Sequence, residues 1–230
     1  MFTNIGYKHV GTSIAYTVDL SRGIEGLWKQ MWGNKRKNIK RALERGVEFI
    51  ETSSFGDIEK FYRLILDVAK RDKFVPGPLS WFQAVWNSRS QKDSSKVFFA
   101  RWKGNNISSV FATTHAKTIY ALGFGYLSTA LEVRPNDLLH WKIMEWGCKR
   151  GFLKYHLGDA HPEKGSTDGT WRWKREWNGD QEPAYIFQKS ISKHVFIEKL
   201  CGRLKKYESD TRSRKIIEQV AGRIDAARAR

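Results

Sequence analysis

Three segments with the composition of β-strands follow one another in the middle of the chain, with only short turns between them. They cover residues 96–102, 107–115 and 118–127, and the first turn contains Gly104, Asn105 and Asn106. Connections this short join antiparallel strands, because a parallel connection needs a crossover of a dozen or more residues. The sequence therefore predicts an antiparallel meander at the centre of the fold.

Helices and further strands are predicted on both sides of this meander. Apolar residues at helical spacing predict helices over residues 21–28, 34–45, 58–73, 79–86 and 135–148. Short apolar runs predict strands over residues 13–20, 47–51, 155–158 and 184–189. This order of elements indicates an α+β fold in which helices pack on a sheet.

The charge of the chain indicates the sign of its partners. Its 230 residues carry a formal net charge of +17, and such a field attracts polyanions such as nucleic acid, anionic lipid or phosphorylated small molecules. Part of this charge lies on the helix over residues 34–45 and its end. Its basic residues are Lys35, Arg36, Lys37, Lys40, Arg41 and Arg45. They are either phosphate ligands or a solvated helix face.

Several classes of protein do not fit the sequence. The two cysteines, Cys148 and Cys201, have no partners at metal-ligand spacing, so neither a disulfide framework nor a zinc site is expected. No run of eighteen apolar residues and no signal-peptide pattern is found. We expect a cytoplasmic protein that binds no metal, with contact to an anionic membrane surface left open.

Residues 171–179 (WRWKREWNG) alternate tryptophans with charged residues directly after a Gly/Asp/His-rich loop. Alternation at period two predicts a strand with the indoles on one face and Arg172, Lys174 and Glu176 on the other. A charged row beside a loop either holds a polar substrate or is the solvated side of an edge strand.

Four sequence words in this order resemble the GNAT-like acyltransferases of the Fem group, the aminoacyltransferases of peptidoglycan cross-bridges, and their acetyltransferase relatives. The words are residues 35–42 (KRKNIKRA) followed by Gly46-Val47, 134–139 (RPNDLL), 155–158 (YHLG), and Trp173-Lys174 with Trp177 and Gly179. The resemblance covers about residues 15–190. It implies a GNAT-like domain over residues 1–190, with a mainly antiparallel sheet and helices on both faces. Residues 191–230 are expected to form a basic helical extension.

The chain departs from the family pattern at three points. The family has an acidic residue where His156 stands and phenylalanine where Trp173 stands. Fem enzymes also carry two GNAT-like halves, whereas this chain has room for only the second half. A compact single-module enzyme, a homodimer, or a half completed by another chain would fit this length.

Acyl transfer to an amine requires an oriented donor and acceptor, a proton acceptor, and positive charge for the developing oxyanion. By the resemblance, Lys174 supplies that charge; the alternative is an ordinary exposed lysine. Asp159, at the end of a strand, would orient the amine or take its proton, with His161 and Asp168 as weaker alternatives. His156 is either a substrate-binding residue or a hydrogen-bonded histidine of the sheet.

Further residues are expected to bind substrate. Arg36 and Lys40 would hold phosphates of a tRNA, a coenzyme A or a nucleotide-linked precursor, and Asn136 lies at a helix N-terminus suited to one phosphate. Tyr126 and Trp173 would line the substrate groove, although core packing explains Tyr126 as well.

The resemblance implies an aminoacyl- or N-acyltransferase that uses aminoacyl-tRNA or acyl-CoA as co-substrate and holds no bound cofactor. The acceptor would be an amine of a phosphorylated or cell-envelope precursor. No pyrophosphate-binding loop of the GNAT type follows Leu131, which disfavours ordinary coenzyme A use. The alternative function is a non-enzymatic nucleic-acid-binding module that uses the basic and aromatic surface.

Overall fold

The computed structural model describes residues 3–89, 94–160 and 169–189. The chain divides into two compact units, one of residues 12–184 and one of residues 1–11 with 185–230. In the second unit the ring of His9 contacts those of Tyr185 and Phe187, at 6.0 and 5.4 Å between centroids. The predicted basic extension at residues 191–230 lies outside the described residues.

The secondary structure follows the predicted order. The strands are β1 (Lys8–Asp19), β2 (Glu48–Thr52), β3 (Ser95–Trp102), β4 (Asn105–His115), β5 (Thr118–Tyr126), β6 (Lys154–Ala160) and β7 (Asp180–Gln188). The helices are α1 (Gly23–Gln30), α2 (Gly33–Glu44), α3 (Asp57–Asp72), α4 (Leu79–Arg89), α5 (Pro135–Lys149) and α6 (Gly169–Arg175). Within the described ranges, no helix has the length and apolar character needed to cross a membrane.

The seven strands form one sheet in the order β2-β3-β4-β5-β6-β1-β7. The β3–β4–β5 meander is antiparallel, as predicted, and β2 and β1 also pair antiparallel with their neighbours β3 and β6. In contrast, β5 and β6 are parallel and pair only from Thr118 to Tyr120 and from Lys154 to His156. Both strands then continue without pairing to each other. We call the gap beyond the last pair the β5–β6 opening.

Helices cover both faces of the sheet. Successive strand residues point to opposite sides, so a single strand contributes side chains to the core on each face. On one face, Val97 and Phe99 of β3 are buried in the same apolar cluster as Phe61 of α3 and Phe82 of α4. On the other face, Phe98 is buried in a larger cluster with apolar residues of α1, α2 and α5. The mainly antiparallel sheet with helices on both faces is thus confirmed.

The predicted strand over the tryptophan-rich segment is wrong, because residues 169–175 form helix α6. Trp173 lies in this helix and Trp177 follows it four residues later. Residues four apart lie on one side of a helix, so a helix accounts for the grouping of these two indoles as well as a strand does. Arg172 and Arg175 of this segment are exposed, but the other two charged residues do not belong to a solvated row. Lys174 and Glu176 are only 3% and 7% exposed, because both have polar partners in the interior.

Gly125 permits the close packing of α3 on β5. A Cβ atom at this position would lie 2.5 Å from the carbonyl carbon of Leu64, which is backbone and cannot move aside. We expect Gly125→Ala to lower the free energy of unfolding by about 1–3 kcal/mol, the usual effect of overpacking. Urea denaturation measures this loss. Gly77→Ala, which meets no atom within 4 Å, is the control and should change stability by less than about 0.5 kcal/mol.

Candidate active site

Lys174 of α6 lies at the β5–β6 opening. Its side chain is buried, and its Nζ donates a hydrogen bond of 2.6 Å to the carbonyl oxygen of Asp159 on β6. A Cβ atom at Gly158 would lie 3.6 Å from this Nζ and 3.8 Å from the carbonyl oxygen of Ala121 on β5. The ammonium therefore lies close to where the two strands separate.

Two cavities share the residues Asp72, Phe124, Tyr126 and Thr170, and the smaller one borders the opening through Ala121, Leu157 and Gly158. The larger has a volume of about 450 Å³, and its other lining residues are Arg71, Leu131, Asn136, His140, Gly169 and Trp173. The smaller has about 360 Å³ and is lined mainly by apolar residues, together with Gly158. Lys174 lines neither cavity itself, but Gly158 beside its ammonium lines the smaller one.

Aromatic rings form one wall of the larger cavity. The Phe124 ring is nearly parallel to the rings of Tyr126 and Trp173, with centroid distances of 6.1 and 6.4 Å and interplanar angles of 11° and 21°. Arg71 lies over the Tyr126 ring at 4.7 Å and donates to its hydroxyl and to Asp72. The cavity thus combines flat apolar surface with a guanidinium group that is paired with the carboxylate of Asp72.

Lys35 of α2 is buried among groups of α5, of α6 and of the residues directly after α6. Its Nζ lies 2.7 Å from Asp137 Oδ1 and 3.3 Å from Glu176 Oε2, and it faces the rings of Trp173 and Trp177 at 4.2 and 5.0 Å. Burial lowers the pKa of the lysine, and the two carboxylates oppose that shift. The prediction that Lys35 shares the exposed basic face of its helix is therefore wrong.

Asp137, in the first turn of α5, connects three segments. Its Oδ1 also accepts a hydrogen bond of 2.7 Å from Trp173 Nε1, and its Oδ2 accepts one of 2.8 Å from Asn38 Nδ2. The carboxylate therefore holds two helices against the N-terminus of α5: α2, and α6, which carries the candidate catalytic residue Lys174. Such a set of mutually satisfied polar groups fixes geometry, because each partner would be costly to leave unpaired.

The end of β6 carries two other predicted residues. His156 Nδ1 accepts a hydrogen bond of 3.1 Å from the Gly158 backbone, and its Nε2 lies 3.6 Å from Asp159 Oδ1. Burial lowers the pKa of His156, while Asp159 acts in the opposite direction. Asp159 Oδ2 also accepts a hydrogen bond of 3.1 Å from Ser13. A carboxylate, an imidazole and the Lys174 ammonium are therefore grouped at this strand end.

The other predicted binding residues lie in two places. Tyr126, Asn136 and Trp173 together line the larger cavity, where Asn136 Oδ1 accepts a hydrogen bond of 2.7 Å from Ser108. Arg36 Nη1 donates to backbone carbonyls at the end of α1, those of Trp28, Lys29 and Met31. Lys40 is exposed on α2. The two alternative proton acceptors on the loop, His161 and Asp168, lie outside the described residues.

Asp137 and His140 were not singled out as site residues from the sequence, and Lys35 was expected only as a phosphate ligand or as part of a solvated helix face. Lys35 precedes the buried Ile39 by four residues, and His140 precedes the buried Met144 by four. A polar residue in register with an apolar helix face is the signal that would have marked both as interior groups. Across the described parts of the chain, no cluster of three or more histidine, cysteine or acidic residues could hold a metal ion.

Comparison with solved structures shows the fold. FemX superposes with a TM-score of 0.67 at 13% identity, over 85% of this chain and 68% of the FemX chain. L-PGS from Bacillus licheniformis gives 0.58 at 12% identity, over 88% and 68% of the two chains. An aminoglycoside acetyltransferase from an uncultured soil metagenomic sample, meta-AAC0020 with sisomicin, gives 0.50 at 12% identity, over 65% and 99%. This chain spans about two thirds of the length of FemX and of L-PGS.

No curated protein sequence matches the chain significantly. The family model described as "Acetyltransferase (GNAT) domain" matches residues 32–181, which is about two thirds of the sequence. The matched region runs from the start of α2 to the start of β7 and contains the β5–β6 opening, both cavities and Lys174. The chain therefore belongs to the GNAT acetyltransferase family and is an acyltransferase.

Proposed function

We propose that this acyltransferase moves an acyl group from acyl-CoA, or from aminoacyl-tRNA, to an amine of a phosphorylated or cell-envelope precursor. The observation that carries the proposal is the buried Lys174 ammonium at the β5–β6 opening, next to Gly158, which lines the smaller of two cavities that share a wall. The formal net charge of +17 favours donors and acceptors that carry phosphate.

In the proposed reaction the acceptor amine attacks the carbonyl carbon of the thioester or ester. A tetrahedral oxyanion forms and collapses, breaking the C–S bond so that coenzyme A leaves as a thiolate, or the C–O bond so that the ribose oxygen leaves and takes up a proton. The proton that the amine loses passes to a base. Lys174 supplies positive charge for the oxyanion in a setting of low solvent content, where such charge is most effective. Asp159, whose side chain is 41% exposed, is the proposed proton acceptor.

The larger cavity is the proposed donor site. Arg71 and the N-terminus of α5 at Asn136 both border it, and guanidinium groups and helix N-termini are suited to phosphate. The smaller, mainly apolar cavity would then receive the acceptor. Membership of an acyltransferase family sets aside the alternative of a non-enzymatic nucleic-acid-binding module. The exposed basic residues of α2, Lys40 among them, are then proposed contacts for an anionic substrate.

The test is a transfer assay with two donors. Purified protein is incubated with acetyl-CoA or with charged tRNA, together with amine acceptors in matched phosphorylated and dephosphorylated forms, and the products are identified by mass spectrometry. We expect N-acylation of the phosphorylated acceptors with at least one donor. Equal transfer to the dephosphorylated forms would refute the proposed acceptor class, and no transfer with either donor would refute the proposed reaction.

A further inference from the structure

His140 of α5 is a buried side chain that the proposed reaction does not yet use. It is only 2% exposed, yet it lines the larger cavity. Its Nδ1 lies 2.7 Å from the hydroxyl oxygen of Tyr155, which is itself fully buried on β6. The ring also meets Trp173 edge-on at 4.7 Å, and Trp173 lines the same cavity.

The pairing with Tyr155 determines which nitrogen of His140 carries the proton. Among the described residues, His140 Nδ1 is the hydrogen-bond partner recorded for the Tyr155 hydroxyl. A buried hydroxyl proton without an acceptor is unfavourable, so Tyr155 donates to Nδ1. Burial raises the pKa of Tyr155 well above its usual value, which keeps that proton in place. The remaining nitrogen of His140, Nε2, therefore carries the ring proton.

Burial, together with two nearby cations, keeps the His140 ring neutral. Burial, aided by Lys35 of α2 and Lys174 of α6, lowers the pKa of His140 to about 3. The carboxylate of Asp137 lies on the same helix but is bonded to Lys35, Trp173 and Asn38. At neutral pH the imidazole is thus an uncharged donor with a fixed tautomer.

We propose that His140 Nε2–H binds an uncharged carbonyl oxygen of the donor in the larger cavity, an amide carbonyl of acyl-CoA, and that Tyr155 fixes this tautomer. The inference rests on the proposed use of acyl-CoA. Arg71 at the same cavity is paired with Asp72, and its side chain is 34% exposed, so it is the charged group there that a phosphate would reach. A buried neutral donor instead suits a carbonyl group, which has no charge to desolvate. His140 is then a substrate-positioning residue.

Two substitutions of His140 separate this role from simple packing. In His140→Gln the amide nitrogen can reach the position of Nε2, so acetyl-CoA binding should stay within about twofold of wild type. In His140→Asn the shorter side chain reaches only the position of Nδ1, and we expect the Kd for acetyl-CoA to rise about tenfold, the scale of one lost hydrogen bond. Isothermal titration calorimetry measures both, and circular dichroism checks that each variant is folded.

Nuclear magnetic resonance of 15N-histidine-labelled protein tests the inference without a substitution at His140. The His140 ring should show protonated Nε2 and unprotonated Nδ1, without titration from about pH 5 to about pH 9. The Nε2 signal should shift on addition of acetyl-CoA, and Tyr155→Phe should give a mixture of tautomers. Protonated Nδ1 in wild type, or an Nε2 signal unmoved by acetyl-CoA, would overturn the inference. Acyl transfer from charged tRNA in the same preparation would leave the proposed reaction standing.

Discussion

Replacement of Lys174 by alanine is expected to lower kcat for acyl transfer by about 10²- to 10³-fold, the usual loss when a group that stabilises an oxyanion is removed. The reason is the position of this ammonium, 2.6 Å from the Asp159 carbonyl oxygen at the β5–β6 opening. KM should change little, because the positive charge acts on the transition state more than on bound substrate. Steady-state kinetics with the donor and acceptor identified in the transfer assay give both constants.

Arg172→Ala is the matched control for Lys174. It removes a positive charge from the same helix, two residues away, but that side chain is 74% exposed. We expect its kcat to stay within about twofold of wild type, since exposed charges interact weakly. Thermal unfolding of both variants separates loss of catalysis from loss of folding. A folded Lys174→Ala variant with wild-type kcat would remove Lys174 from the mechanism.

Replacement of Lys35 by alanine is expected to lower the free energy of unfolding by about 3–5 kcal/mol, because it leaves two buried carboxylates without their cation. Asp137 and Glu176 lie 2.7 and 3.3 Å from its Nζ, and their side chains are 7% and 9% exposed. Because Glu176 directly follows α6, kcat should fall as well. Urea denaturation measures the stability, and the transfer assay measures kcat.

Two further variants test whether charge is the cause. Lys37→Ala, on the exposed side of the same helix, should change stability by less than about 0.5 kcal/mol. A triple variant with Lys35→Met, Asp137→Asn and Glu176→Gln removes the cation and both carboxylate charges. It should be more stable than Lys35→Met alone, since neutral groups are less costly to bury. Equal stability of the triple variant and Lys35→Met would argue against the ion-pair explanation.

The sheet and its helices could be predicted because their signals are local. The meander follows from short turns between residues 96 and 127, and amphipathic spacing marks α3. The tryptophan-rich segment was wrongly predicted because its alternation of apolar and charged residues mimics a half-buried strand. That prediction assumes that charged residues are exposed. Lys174 and Glu176 are buried instead, because each has a polar partner in the interior.

The candidate site was predicted only in part, because its contacts join segments far apart in sequence. Lys35 is separated by about a hundred residues from Asp137, and no local sequence pattern predicts that the two side chains pair. His140 and Tyr155 lie on different elements, and their hydrogen bond depends on how α5 packs against β6. Asn136 and Lys174, in contrast, lie in motifs that resemble a known family, so their neighbourhood could be anticipated.

The most direct test of the account is a crystal structure of the protein with acetyl-CoA bound and no acceptor present. We expect the thioester to lie in the β5–β6 opening, beyond Tyr120 and His156, with Lys174 beside it and the pantetheine chain in the larger cavity. This expectation would be contradicted by a thioester bound away from the opening, for example in the groove that Trp28, Leu43 and Trp141 line between α1, α2 and α5.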